Sequence, residues 1–212
     1  MKIVAVLGSP RAQSNSSTLA RTLLTGAAEQ GAETKEFLLN RMDFQGCQGC
    51  GGCKTKSETC MKEDELSAAL EEVKAADVLV LASPVYFGDI SGQMKCFFDR
   101  TYSYLNPDFS SRVPQGKQAV VILVQANPDD QQFNDIFPRY ERWLKLYGYD
   151  PVHLLRVTGV REPGVVKQHA ALMERVATLA RQLANRPVEA ADKTPISQAQ
   201  ADPMDYGRFA WE

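Results

Sequence analysis

A doubly wound α/β fold, an open parallel sheet with helices on both faces, is what this chain of 212 residues predicts. Three observations carry it. Short runs rich in Val, Ile and Leu recur along the chain. Between them lie segments whose apolar residues fall three and four apart, and a turn crowded with hydroxyls follows the first run. Runs that are apolar on consecutive positions suit parallel strands buried on both faces. With five such strands the expected order is 2-1-3-4-5, which puts ligands at the carboxyl edge where the winding reverses.

Lys2–Leu7 is the first expected strand. Its apolar part, Ile3 to Leu7, is too short for a signal-peptide core and runs into a glycine turn. The first helix buries Leu19, Leu23 and Leu24, with Thr18 as its expected cap, and Thr34–Leu39 forms the second strand. A cysteine-rich loop at 46–61 precedes a helix capped by Asp64 that buries Leu66, Leu70 and Val73. Val78–Ala82 is the third strand. The next helix buries Met94, Phe97 and Phe98, and Cys96 is read there as a small core hydrophobe. Ala119–Val124 is the fourth strand, and the following helix carries Tyr140, Leu144 and Tyr147, with Pro138 opening or kinking it. Val152–Val157 is the fifth, followed by a helix with the stripe Leu172, Val176, Leu179 and Leu183. Residues 1–184 form the expected domain. Residues 185–212 read as an extended tail whose terminal aromatics dock on a neighbouring subunit or on their own domain.

An apolar fraction of 44% is ordinary for a chain with a real core, and a formal charge of −2 argues against a nucleic-acid groove. No apolar run approaches the roughly 18 residues that span a bilayer. A cytoplasmic protein is expected, and in a reducing compartment clustered cysteines point to metal or redox chemistry before structural disulfides.

After the first strand comes Gly8-Ser-Pro-Arg-Ala-Gln-Ser-Asn-Ser-Ser-Thr18. Ser9, Ser14, Asn15, Ser16 and Ser17 offer hydrogen bonds at a helix N-terminus, and Arg11 adds positive charge. The turn lacks both the G-x-G-x-x-G pattern and the G-K-[ST] ending of a triphosphate loop, so a terminal phosphomonoester suits it best. The bland alternative is a serine-rich capping loop that binds nothing.

Cys47, Cys50, Cys53 and Cys60 follow a C-x2-C-x2-C-x6-C pattern on a glycine-loosened loop. Four thiolates hold iron–sulfur clusters, and ferredoxin-type runs share the x2, x2 beginning, which favours a 4Fe-4S cluster. A structural zinc site, thiols without metal and a redox-sensing disulfide are the competing readings. His153 and His169 have no ligand-type partners in sequence and are read as structural or exposed.

The turn residues Gly8-Ser-Pro-Arg11 with Ser14-Asn15-Ser16 resemble the opening of the NADPH-dependent FMN reductase families of the flavodoxin-like superfamily. The stretch Ala82 to Arg100 resembles those families' segment joining the third strand to the third helix. With the cysteine loop added, residues 1–180 are similar to iron–sulfur flavoproteins. The resemblance implies FMN, with the loop Pro84-Val85-Tyr86-Phe87-Gly88 wrapping the isoalloxazine and Asn127 or Gln125 bordering it. There Pro84 is expected to stiffen a turn, Gly88 to admit close backbone approach, and Tyr86 and Phe87 to offer flat surfaces. The cofactor carries the chemistry, so no catalytic side chain is expected. The implied activity is electron transfer with nicotinamide, NAD(P)H included, or ferredoxin or quinone as partners, in homodimers or homotetramers. A metal-free NAD(P)H-dependent FMN or quinone reductase and a non-enzymatic carrier or sensor are the rivals.

Overall fold

The computed structural model describes residues 1–185; the expected tail beyond them lies outside the described residues. In chain order the elements are β1 (Lys2–Leu7), α1 (Asn15–Ala28), β2 (Glu33–Leu38), a single turn α2 (Gly52–Thr55), α3 (Glu65–Ala75), β3 (Val78–Tyr86), β4 (Asp89–Ile90), α4 (Gly92–Arg100), β5 (Lys117–Val124), α5 (Ile136–Leu146), β6 (Tyr149–Val157) and α6 (Ala170–Asn185). The sheet order is β2-β1-β3-β5-β6, all parallel, with β4 folded back antiparallel on the end of β3. Setting β4 aside, this is the expected flavodoxin-like order.

Period-two alternation divides the core. Ile3, Ala5 and Leu7 of β1, with Val78, Val80 and Ala82 of β3, face α1 and α6. Val4, Val6, Leu79 and Leu81 face the opposite way, onto α3, α4 and α5. A sheet covered on both faces explains why β1, β3 and β5 read as near-continuous apolar runs. The edge strand β2 carries no fully buried residue, Glu33 and Lys35 being exposed and the rest half-buried.

Several local expectations shift. Ser14 caps α1, its Oγ accepting from the Ser17 N–H, and Thr18 lies inside the helix. Asp64 caps α3 in a reciprocal capping box with Ser67. Pro138 sits in the first turn of α5, where the N–H it lacks has no intrahelical acceptor. Pro84 is not in a turn: β3 runs on through it, pairing Pro84 with Val124, and the reversal comes at Phe87 and Gly88. Among the described residues no helix is long and apolar enough to cross a membrane.

Lys117, at the start of β5, is buried, and its ammonium donates to the carbonyls of Lys74 and Ala76, both at 2.6 Å. Burial pushes it down to about 8. A lysine depressed on folding destabilises below that pH, and the penalty lifts as pH rises toward the unfolded value. Stability should therefore rise between about pH 8 and 10, by roughly 3 kcal/mol at most. Above that range the buried tyrosines reverse the trend, since burial holds Tyr147 up to about 12 and the unfolded chain ionises first. Urea midpoints across this range check the rise, and Lys117→Met should flatten it.

Candidate functional site

Two sites flank α4. At its N-terminal end, a cavity of about 250 Å³ opens at the carboxyl edge between β1 and β3, where the winding reverses. Ser9, Arg11 and Ser14 line it from the turn before α1, Asn15 and Ser16 from the first turn of α1, and Pro84, Val85 and Tyr86 from β3. Ser17 lies behind the wall, its hydroxyl accepting from that of Ser14 at 2.8 Å. Phe87 and Gly88 lie outside the lining. Phe87 is 110% exposed with φ +49°, projecting from the hairpin tip. Asn127 is also outside, its Oδ1 accepting from the Asp129 N–H at 2.8 Å in its own turn. Gln125 is buried behind that loop, its amide nitrogen bonded to the carbonyls of Asn127 and Asp129.

The other wall comes from residues that sequence reasoning missed: Val124, Ala126, Val160, Arg161 and Pro163. The segment after β6 is tied to the turn by Asn15, whose Nδ2 donates to the Glu162 carbonyl at 2.9 Å, and by Arg11, which donates to the Arg161 carbonyl at 3.2 Å. The available signal was the turn chemistry of Gly159, Pro163 and Gly164, both glycines having positive φ. Among the described residues the lining therefore carries Arg11 and Arg161 and no carboxylate, at the N-terminus of a helix with no acidic residue in its first turn. Each of these features favours an anion.

Gly8 makes the turn possible. Its N–H donates to Ala82 O at 2.9 Å, and its carbonyl accepts from Ser91 Oγ at 2.6 Å. A Cβ there would stand 2.7 Å from Met94 Cβ and 2.8 Å from Ser91 Oγ. Ser91 is also the N-cap of α4, so the hydroxyl-rich turn and the start of α4 share one hydroxyl.

At the C-terminal end of α4 is a cavity of about 470 Å³ lined by Cys47, Cys50, Cys53 and Cys60. Cys47 and Cys50 are exposed, Cys53 and Cys60 half-buried. Gly51, at φ +66°, caps the single turn α2 that carries Cys53. The Gly49 N–H donates to Cys47 Sγ at 3.5 Å. Among the described residues no three donors gather tightly enough for one metal ion; the thiols ring the cavity instead. Burial pushes the Cys53 thiol up, as do its neighbours Cys60 and Cys50, while Lys54 pulls it down. Cys96 is half-buried on α4 rather than in the core. A Cβ on Gly46 would lie 3.2 Å from its sulfur, so it packs under the start of the cysteine loop.

Cations hold this loop. Lys54 donates to the Tyr102 carbonyl at 2.6 Å and to that of Leu105, its ammonium 3.8 Å from the Tyr102 ring centroid. Arg112 donates to the carbonyls of Cys53 at 2.9 Å, Ser103 at 3.0 Å and Glu58 at 3.1 Å. Among the described residues Lys54, Lys62 and Arg100 line the cavity with one carboxylate, Asp99, itself paired with Lys95 at 2.5 Å. The residues present fit a group bound by four thiolates, whose negative charge these cations would offset.

An iron-sulfur flavoprotein of Methanosarcina thermophila is 32% identical over 148 residues, covering 70% of this chain and 75% of that one. Another, from Methanocaldococcus jannaschii, is 39% identical over 101 residues, 48% of this chain; the match spans only about half (52%) of that protein's length. Among solved structures, NAD(P)H:quinone oxidoreductase from Methanothermobacter marburgensis superposes with TM-score 0.68 at 19% identity, over 88% of this chain and 98% of that one, a likeness of fold. Residues 1–131, which contain the hydroxyl turn, the cysteine loop and the β3–α4 segment, match the family described as NADPH-dependent FMN reductase. The chain belongs to that family.

Proposed function

We propose that this protein is an FMN-dependent oxidoreductase that also carries a 4Fe-4S cluster on Cys47, Cys50, Cys53 and Cys60, with NAD(P)H or a reduced ferredoxin as donor and a quinone-type or protein acceptor. Bound flavin takes electrons in pairs and releases them singly, and an iron–sulfur cluster passes them one at a time. The observation that carries the reading is the placement of both sites on the two ends of α4. Ser91 at its start bonds the Gly8 carbonyl of the anion turn, and Arg100 at its end borders the four-cysteine cavity. Nine residues at about 1.5 Å rise put those ends roughly 13 Å apart.

Each group of residues has a defined task. Ser9, Ser14, Ser16 and Arg11 bind a phosphate, with the α1 N-terminus behind them. Pro84, Val85 and Tyr86 present strand backbone and a flat ring to the isoalloxazine. Phe87, projecting from the hairpin tip, reaches beyond its own cavity toward a second copy in a homodimer or homotetramer. Asn127 would border the ring only if its turn re-forms. The four thiolates and the cations around them bind the cluster in a reducing cytoplasmic setting. No side chain is needed as acid or base.

Anaerobic purification, with flavin, iron and sulfide quantified alongside the optical spectrum, tests this. Brown protein with FMN and equal amounts of iron and sulfide is the expected result. Yellow protein free of iron assigns the metal-free reductase instead. Colourless protein that takes up no FMN overturns both.

A further inference from the structure

We propose that Arg100 is the positioning residue of the cysteine centre: its guanidinium fixes both ends of the cysteine loop, and its one unpartnered nitrogen, Nε, donates to a sulfur of the cluster held there. This rests on the reading of the four cysteines as cluster ligands.

Arg100 is the last residue of α4 and is 1% exposed. Its Nη1 donates to both oxygens of Asp64, at 2.6 and 2.5 Å, and to the Gln45 carbonyl at 3.2 Å. Its Nη2 donates to the Lys62 carbonyl at 2.6 Å. Gln45 stands immediately before the 46–61 loop and Lys62 immediately after it, so one side chain draws the two ends together. Asp64 adds a second tie by accepting from the Gln45 N–H at 3.2 Å. Arg112 acts separately, inside the loop, through Cys53 and Glu58.

The unpartnered nitrogen is the informative one. Among the described residues, Arg100 Nε is buried and has no hydrogen-bond partner. A guanidinium offers only donors, and a buried N–H without an acceptor costs about 1–3 kcal/mol. Arg100 belongs to the wall of the cavity that the four cysteines line. An acceptor supplied there by thiolate or sulfide sulfur satisfies Nε and matches its charge. Hydrogen bonds to the sulfurs are a main way a protein tunes such a cluster, and partners of this kind also orient the ligands. Lysine would balance the Asp64 charge equally well, but it lacks the fork that reaches 45, 62 and 64 at once.

The test uses the full chain with arginine as its only ¹⁵N-labelled residue, the label in the guanidinium, reconstituted anaerobically with iron and sulfide and reduced. Electron–nuclear double resonance should show a ¹⁵N coupling to the cluster that persists in Arg112→Lys and vanishes in Arg100→Lys. The Arg100→Lys protein should still bind FMN, yet lose iron to a chelator at least tenfold faster. A cluster signal without ¹⁵N coupling, or a coupling that survives Arg100→Lys, overturns the inference while leaving the cluster assignment standing. Absence of any cluster signal removes the reading beneath it. Should Arg100→Lys fail to fold, the labelled wild-type and Arg112→Lys proteins decide the matter between them.

Discussion

Gly8→Val will lose FMN binding by at least a hundredfold and will weaken the fold by about 2–4 kcal/mol. Glycine's β-position points at Met94 and Ser91, where a Cβ alone would sit at 2.7 and 2.8 Å, and valine adds two methyls to that contact. Three bonds share the strained point. Ser91 Oγ donates to the Gly8 carbonyl at 2.6 Å and accepts from the Met94 N–H at 3.3 Å, and the Ser91 N–H donates to Ser83 Oγ at 2.9 Å. Displacing Ser91 removes the cap of α4 as well as the tie between β1 and that helix. The anion turn must then move with the carbonyl of residue 8. Urea midpoints and FMN titration of Gly8→Val measure the two effects separately; unchanged FMN affinity would show that the turn does not hold the flavin.

Cys50→Ser should cut bound iron below a tenth of the wild-type content while leaving FMN affinity and apoprotein stability unaltered. Cys50 is exposed, so its replacement by an isosteric hydroxyl costs the apoprotein less than about 0.5 kcal/mol. Any loss of iron from this variant therefore reports ligation and not folding. Cys60 is the contrasting case, being half-buried and packed against the core, so its serine variant mixes both effects. Cys96→Ser provides the control: its sulfur lies under Gly46 and outside the cavity lining, and iron content should hold. Equal iron in wild type and Cys50→Ser would remove Cys50 from the ligand set.

Much of the fold was legible because burial on both faces leaves an unambiguous imprint. Val78–Ala82 and Ala119–Val124 could only be central strands, and they pair as such in parallel. The start of β6 was hidden by Asp150 and Pro151, and β4 is only two residues long, too short to leave a period. Thr18 was mistaken for a cap because five hydroxyl or amide side chains crowd the same turn; Ser14 takes the role because it alone precedes the first helical residue. At the site, the hydroxyl turn and Tyr86 could be read from residue type. The direction of Phe87 could not, since it depends on a reversal at a positive φ. Cys96 lies two residues after Met94 and one before Phe97, one step off the buried stripe, which periodicity does not resolve. Arg100 closes the Ala82 to Arg100 segment without any sign of its role, and Arg112 lies in no motif. Their meaning lies in which carbonyls they reach across the fold, and only three-dimensional placement reveals it.

On the proposed reading, the turn after β1 grips a phosphate and the end of β3 seats the ring attached to it. Titration of the apoprotein with FMN and with riboflavin, followed by flavin fluorescence, separates the two contributions. FMN should bind tightly, and riboflavin, which lacks the phosphate, at least a hundredfold more weakly, with Arg11→Gln narrowing that gap. Equal affinity for the two flavins, or none for either, would contradict the account.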